Sequence, residues 1–141
     1  MQPVEFNRIA TPDVGQVSSP ACPENAIGAD YTYEMPYRRT HKTGAITWPV
    51  AICLECMRVI VARRIESSRT GAHGKMFFAH EHPLAFTILK QSNSGKRTVE
   101  FVGEIPENFK AEIRELWTMY NIPPEIAMNT IHAMLRAHAQ R

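Results

Sequence analysis

No run of apolar residues in the chain approaches the ~20 that a membrane-spanning helix needs. The first residues, Met1-Gln2-Pro3-Val4-Glu5-Phe6, lack the basic start and apolar core of a secretory signal. Cysteine is scarce and odd in number, three in 141 residues, which argues against a disulfide scaffold. These absences predict a soluble chain in a reducing, cytoplasmic compartment, with no membrane partner. Several catalytic signatures are missing too. There is no Gly-rich phosphate loop and no Gly-x-Ser-x-Gly elbow. His80-Glu81-His82 lacks the i, i+4 histidine spacing of a metalloprotease helix, and the histidine an HNH-type nuclease needs soon after Asn93 does not come until His132. Neither an internal repeat nor a low-complexity tract is visible. What is present is 44% hydrophobic against 21% charged residues, enough for a packed core.

Charge is unevenly distributed along the chain. The formal net charge is only +2. Residues 1–34 carry one basic and five acidic side chains, a balance of −4. Residues 35–98 carry eleven basic and three acidic ones, a balance of +8, and residues 99–141 return to −2. A basic middle flanked by acidic ends points to an anionic partner.

Three segments are predicted. Residues 1–30 read as a flexible arm, because Pro3, Pro12, Pro20, Pro23, Gly15 and Ser18-Ser19 interrupt every periodic pattern. Residues 31–104 read as a β module. Tyr31-Thr32-Tyr33-Glu34-Met35 is rich in β-formers, residues 45–52 lead as a strand into Cys53, and residues 57–65 lead out as a second strand. Residues 66–75 read as an exposed loop and 76–80 as a further strand. Residues 84–89 and 98–102 flank the turn Ser92-Asn93-Ser94-Gly95-Lys96 as a hairpin.

Residues 105–141 read as a helical hairpin. Phe109, Ile113, Leu116, Trp117 and Tyr120 form one apolar helix face. Asn121 is placed to end that helix in the left-handed conformation, ahead of Pro123-Pro124. A second apolar face runs through Ala127, Met128, Ile131, Met134, Leu135 and His138. The fold class expected is α+β: a small antiparallel sheet with a zinc-ribbon-like knuckle and a C-terminal αα-hairpin.

The chemistry is concentrated in Cys53-Leu54-Glu55-Cys56. Two residues between cysteines in a tight turn let both sulfurs point at one ion, while turn N–H groups support the thiolates. A tetrahedral Zn2+ site needs two more ligands. His80 and His82, in Phe78-Ala79-His80-Glu81-His82-Pro83, share a face if the strand continues through them. Competing ligands are Cys22, if the arm folds back, and His73 in the Gly71–Gly74 loop. Two other readings stand beside the metal. Cys53 and Cys56 can be free core thiols. A redox Cys-x-x-Cys is the other, but that motif favours the start of a helix, and a strand is expected here.

Ala51-Ile52-Cys53-Leu54-Glu55-Cys56, then Val59-Ile60, an Arg-rich loop and Phe77-Phe78-Ala79-His80 resemble the zinc knuckle near the N-terminus of competence CoiA-type proteins. In that family a Cys-x-x-Cys hairpin is followed by a His-Phe-Ala-His segment. The likeness covers ~30 residues of this chain and implies a zinc site in a nucleic-acid setting. It departs at Phe77, where the pattern has a histidine, which makes His82 the substitute ligand. No carboxylate–lysine constellation of a nuclease follows.

Around the knuckle lie Arg38, Arg39, Arg63, Arg64 and Lys75, which suit phosphate contacts, with Tyr31, Tyr33, Tyr37 and Trp48 as stacking surfaces. The function expected is a non-enzymatic zinc-binding regulatory or adaptor protein that binds nucleic acid or a nucleic-acid-processing complex. A protein-interaction or inhibitor module with structural zinc is the alternative, and a metal-dependent nuclease the second. The C-terminal helices are a poor helix-turn-helix, since a third supporting helix is missing.

Overall fold

The computed structural model describes residues 31–40 and 43–140. The predicted arm, with Cys22, lies outside them, as do His41 and Lys42. Seven strands and two helices follow in order: β1 (Tyr31–Arg39), β2 (Ile46–Cys53), β3 (Arg58–Ile60), β4 (Arg64–Ser67), β5 (His73–His80), β6 (Ala85–Gln91), β7 (Arg97–Val102), α1 (Glu107–Met119) and α2 (Pro124–Ala139). Every strand pairing is antiparallel, with spatial order β4-β5-β1-β2-β6-β7 and β3 added to the end of β2. The fold is α+β.

The sheet has two wings. In one, β1 pairs with β5 along eight residues, from Tyr31 opposite His80 to Arg38 opposite His73. In the other, β2 pairs with β6 along seven, from Ile46 opposite Gln91 to Ile52 opposite Ala85. The wings meet through only two β1–β2 pairs, Arg38 with Thr47 and Arg39 with Ile46. Beyond that joint, β1 and β2 diverge and side chains fill the wedge. Tyr33 and Phe78 each meet Phe86 edge-on at 5.2 and 5.3 Å, and Tyr37 meets Trp48 at 5.7 Å. Such aromatic pairs add to the area they bury. β2 is buried on both faces from Trp48 to Cys53, so its apolar run does not alternate.

Both helices pack on the same core. α1 contributes Phe109, Ile113 and Trp117, and α2 contributes Ala127, Ile131 and Leu135. The helices run antiparallel: His138 in the last turn of α2 lies edge-on to Phe109 at 5.3 Å and 3.4 Å from Glu112, in the first half of α1. Pro124 opens α2, where its missing N–H has no helical partner to lose.

Several expectations need correction. Residues 57–65 are not one strand. Pairing with β2 stops at Ile60, the chain crosses at residues 61–63, and β4 starts at Arg64 against β5 instead. The expected loop over residues 66–75 shrinks to 68–72, since β4 and β5 extend into it from both sides. Asn121 does not cap α1 in the left-handed region. Tyr120 ends the helix in extended conformation, and the Arg97 guanidinium donates to the carbonyls of Trp117 (3.4 Å) and Tyr120 (3.1 Å). A side chain from β7 thus satisfies acceptors that a left-handed cap normally would. Tyr120 is exposed, so it lies off the apolar face.

Candidate metal centre

The turn between β2 and β3 builds half of the centre. Ile52–Val59 and Cys53–Arg58 pairing leaves residues 54–57 to reverse the chain. Met57 closes the turn with φ +55°, the one described non-glycine residue in the left-handed region. That conformation is disfavoured for a side chain bearing Cβ. Here it turns the chain from Cys56 into β3, and within the turn the Cys56 N–H donates to Cys53 Sγ at 3.3 Å.

The other half comes from the connection between β5 and β6. Pairing of Ile52 with Ala85 sets the start of β6 beside the end of β2, so residues 81–84 pass next to Cys53. The Leu84 N–H donates to Tyr33 Oη at 3.0 Å and holds that connection in place. His80 is the last residue of β5, on the core-facing side, and is buried. His82 lies past the strand end in a bend. Both imidazoles therefore reach the centre, but not as neighbours on one strand face, which corrects the expected reason. Each uses a different nitrogen.

The ligand-type atoms of Cys53, Cys56, His80 and His82 all lie within 4.8 Å of one another. Cys56 Sγ is 3.4 Å from His80 Nε2 and 3.3 Å from His82 Nδ1, and Cys53 Sγ is 3.5 Å from His82 Nδ1. With bonds of ~2.3 Å to sulfur and ~2.0–2.1 Å to nitrogen, a tetrahedron puts sulfur and nitrogen ~3.5 Å apart. These three separations match the sulfur–nitrogen edges of a tetrahedron, and the four residues are compatible with one bound metal ion. Two thiols and two imidazoles are a donor set for a borderline-soft transition metal and a poor one for calcium or magnesium.

Burial pushes the Cys53 thiol up to about 11, against an ordinary 9.0. A thiolate at that position therefore calls for a cation beside it at neutral pH. Cys53 is fully buried and His80 nearly so, whereas Cys56 and His82 are half-exposed, which leaves an entry side.

The competing ligand His73 opens β5, seven residues before His80, so it sits ~23 Å along the strand at ~3.3 Å per residue. It pairs with Arg38 at the far end of the wing and takes no part.

The basic residues are gathered only in part. Strand alternation puts Arg38, Lys75 and Arg64 on the outer face of the β1–β5–β4 wing, and Arg63 at its rim. Arg39 is on the opposite side, with its guanidinium 5.4 Å above the Trp48 ring and 3.7 Å from Glu125 of α2. Tyr31, Tyr37 and Trp48 are buried and so are core side chains instead of stacking surfaces. Tyr33 is half-buried against Phe86. The outward aromatic on this wing is Phe77, which the sequence reading passed over. Its signal was alternation with the apolar positions Met76 and Phe78 on the other face. Among the described residues no helix is long and apolar enough to cross a membrane.

Comparison of the chain with models of known protein families, with curated proteins and with solved structures finds no match.

Proposed function

We propose that the chain is a zinc-stapled, non-enzymatic binding module of the regulatory or adaptor kind, and that its partner is nucleic acid or a nucleic-acid-processing complex. The observation that carries the zinc reading is the convergence of Cys53, Cys56, His80 and His82 within 4.8 Å of one another, three of their sulfur–nitrogen separations having tetrahedral-edge length. Four protein ligands make a closed site. That is the pattern of structural zinc, whereas catalytic zinc keeps a position for water. The second alternative, a metal-dependent nuclease, is therefore less favoured.

The polyanion reading is supported by the +8 balance of residues 35–98 and by the grouping of Arg38, Arg63, Arg64 and Lys75 on one wing. Arg64 pairs with Glu66 and Lys75 with Glu34, each at 3.1 Å, with all four side chains about half exposed. Exposed pairs of this kind are worth ~0–1 kcal/mol, so a phosphate can compete for either cation. A protein partner with an acidic face is the second reading. It is favoured by the exposed apolar side chains Val61 and Ile65, which flank Arg63 and Arg64 in the chain.

Titration of a labelled oligonucleotide at several salt concentrations tests the reading. Each phosphate contact should contribute a slope of about −0.7 to −0.9 in log affinity against log salt. The double reversal Arg63→Glu/Arg64→Glu should abolish binding while leaving the metal content unchanged. Absence of oligonucleotide binding at ~50 mM salt would rule out direct nucleic-acid recognition by this surface. The partner would then be sought among acidic proteins.

A further inference from the structure

The outer face of the β1–β5–β4 wing carries a bowl of about 550 Å3 lined by Thr32, Glu34, Arg63, Arg64, Phe77 and Ala79. Alternation explains its make-up. Glu34 and Phe77 are register partners, as are Phe77 and Arg64, so one acid, one ring and one guanidinium stand in a row across three strands. The Arg64 guanidinium lies 4.1 Å above the Phe77 ring centroid. The N–H of Arg63 donates to the carbonyl of Phe77 at 2.7 Å, which fixes the backbone beneath the Arg63 side chain. Lys75 stands one step along the same face, 3.1 Å from Glu34.

We infer that this bowl receives an unstacked nucleobase and that the wing recognises single-stranded in preference to duplex nucleic acid. The inference rests on the polyanion reading above and deepens it. A guanidinium already held over a ring offers a cationic platform, and bases stack on arginine planes as they do on aromatic rings. The size is right: small-ligand sites run ~300–1,000 Å3, which suits one nucleotide with room for solvent.

Charge placement separates base from phosphate. Glu34 at one side of the bowl repels a phosphate there but accepts a hydrogen bond from a base amino group. Arg63, Lys75 and Arg38, spread around it, meet the backbone on either side. In a duplex the bases stay stacked and paired, so Phe77 and Arg64 gain nothing from it. Stacking tolerates any base, and little sequence preference is expected.

Fluorescence anisotropy decides the matter with three probes at ~100 mM salt: a labelled 12-nucleotide single strand, its complement and the duplex of the two. Wild-type protein should bind the single strands at least tenfold more tightly than the duplex. Phe77→Leu removes the ring while keeping an apolar side chain, and should weaken single-strand binding roughly fivefold to a hundredfold. Duplex affinity should not change. Phe77→Tyr should restore single-strand binding, and circular dichroism checks that both variants fold. Equal affinity for single strand and duplex overturns the inference, as does a folded Phe77→Leu that binds like wild type, and in either case the polyanion reading survives. If no probe binds, that reading fails and this one with it.

Discussion

Removing the metal is the perturbation with the largest expected consequence. A metal held by Cys53, Cys56, His80 and His82 would tie the 54–57 turn to the 81–84 connection, and neither segment has the regular ladder of a long strand pair. Structural zinc in small domains binds with apparent free energies on the order of 10–16 kcal/mol. The stabilisation read in a melt is smaller, because it depends on free metal: at a thousandfold excess over Kd, linkage gives about 4 kcal/mol. For a domain of this size that corresponds to a drop in Tm of roughly 10–20 °C.

The assay is differential scanning fluorimetry of purified protein, with and without a strong zinc chelator, beside elemental analysis. The folded core also contains a large apolar cluster to which the sheet and both helices contribute, including Trp117, Leu89, Ile113, Ile131 and Leu135. The metal-free protein should therefore remain cooperative at a lower Tm, unlike a classical zinc finger. Cys56→Ser should reproduce the chelated melt, and His82→Ala should do so as well, whereas His73→Ala should keep both metal and Tm. A chelated protein whose Tm lies within about 2 °C of the untreated one would refute the staple argument. So would less than a tenth of an equivalent of metal in protein never exposed to chelator.

Other consequences can be checked by similar means. In metal-free protein Cys53 stays protonated to higher pH when folded than when unfolded, so its contribution to stability is full below about pH 9 and is lost as pH rises to about 11. Urea titrations across that range should show a decline that Cys53→Ala lacks, and that bound metal removes by holding the thiolate. Gly74→Ala should cost more than ~2 kcal/mol in the same assay, because a Cβ there would meet the Glu66 carbonyl and lie 2.6 Å from Tyr37 Cε1 across the β4–β5–β1 ladder. Arg97→Met should cost ~1–3 kcal/mol. It removes a guanidinium 3.7 Å above Trp117 and its bonds to the end of α1 and to Gln91.

The fold was readable where local pattern and tertiary role agree. Both helices, the Ser92–Lys96 turn and the strand entering Cys53 follow from periodicity and turn chemistry. β4 was not readable, because Arg64-Ile65-Glu66-Ser67 lies at a sheet edge with every residue exposed and no buried face to impose alternation. Nor was the pairing of β1 with β5 in preference to its neighbour β2 along most of its length. That choice is made by the wedge of aromatic side chains between the wings, and no short-range signal carries it. Asn121 misled because a favourable capping residue has no advantage when a guanidinium from another strand already occupies the helix end.

The candidate site was readable in its residue types and less so in its construction. Cys-x-x-Cys and the two histidines were enough to assemble the quartet. What the sequence concealed is that His82 reaches it from a bend, and that Met57 turns left-handed directly after Cys56. The basic surface was half concealed. Net charge counts Arg39 with Arg38, yet adjacent residues on a strand face opposite ways, and Arg39 is drawn toward Trp48 and Glu125.

Alternation on β5 also ties the two halves of the proposal together. His80 points inward at the end of the strand, and Phe77, three residues earlier, points outward into the bowl. A metal that fixes His80 therefore fixes the strand that presents Phe77. It does so next to the β1 pairing of Tyr31 with His80 and Glu34 with Phe77. Chelation should accordingly weaken single-strand binding severalfold at a temperature where the protein is still folded, although no metal ligand lines the bowl. Arg64→Gln should weaken it without any loss of metal, which distinguishes the direct contact from the support behind it. If oligonucleotide affinity is the same before and after chelation in folded protein, β5 holds its register through the ladder alone, and the metal acts only on the β2–β3 turn.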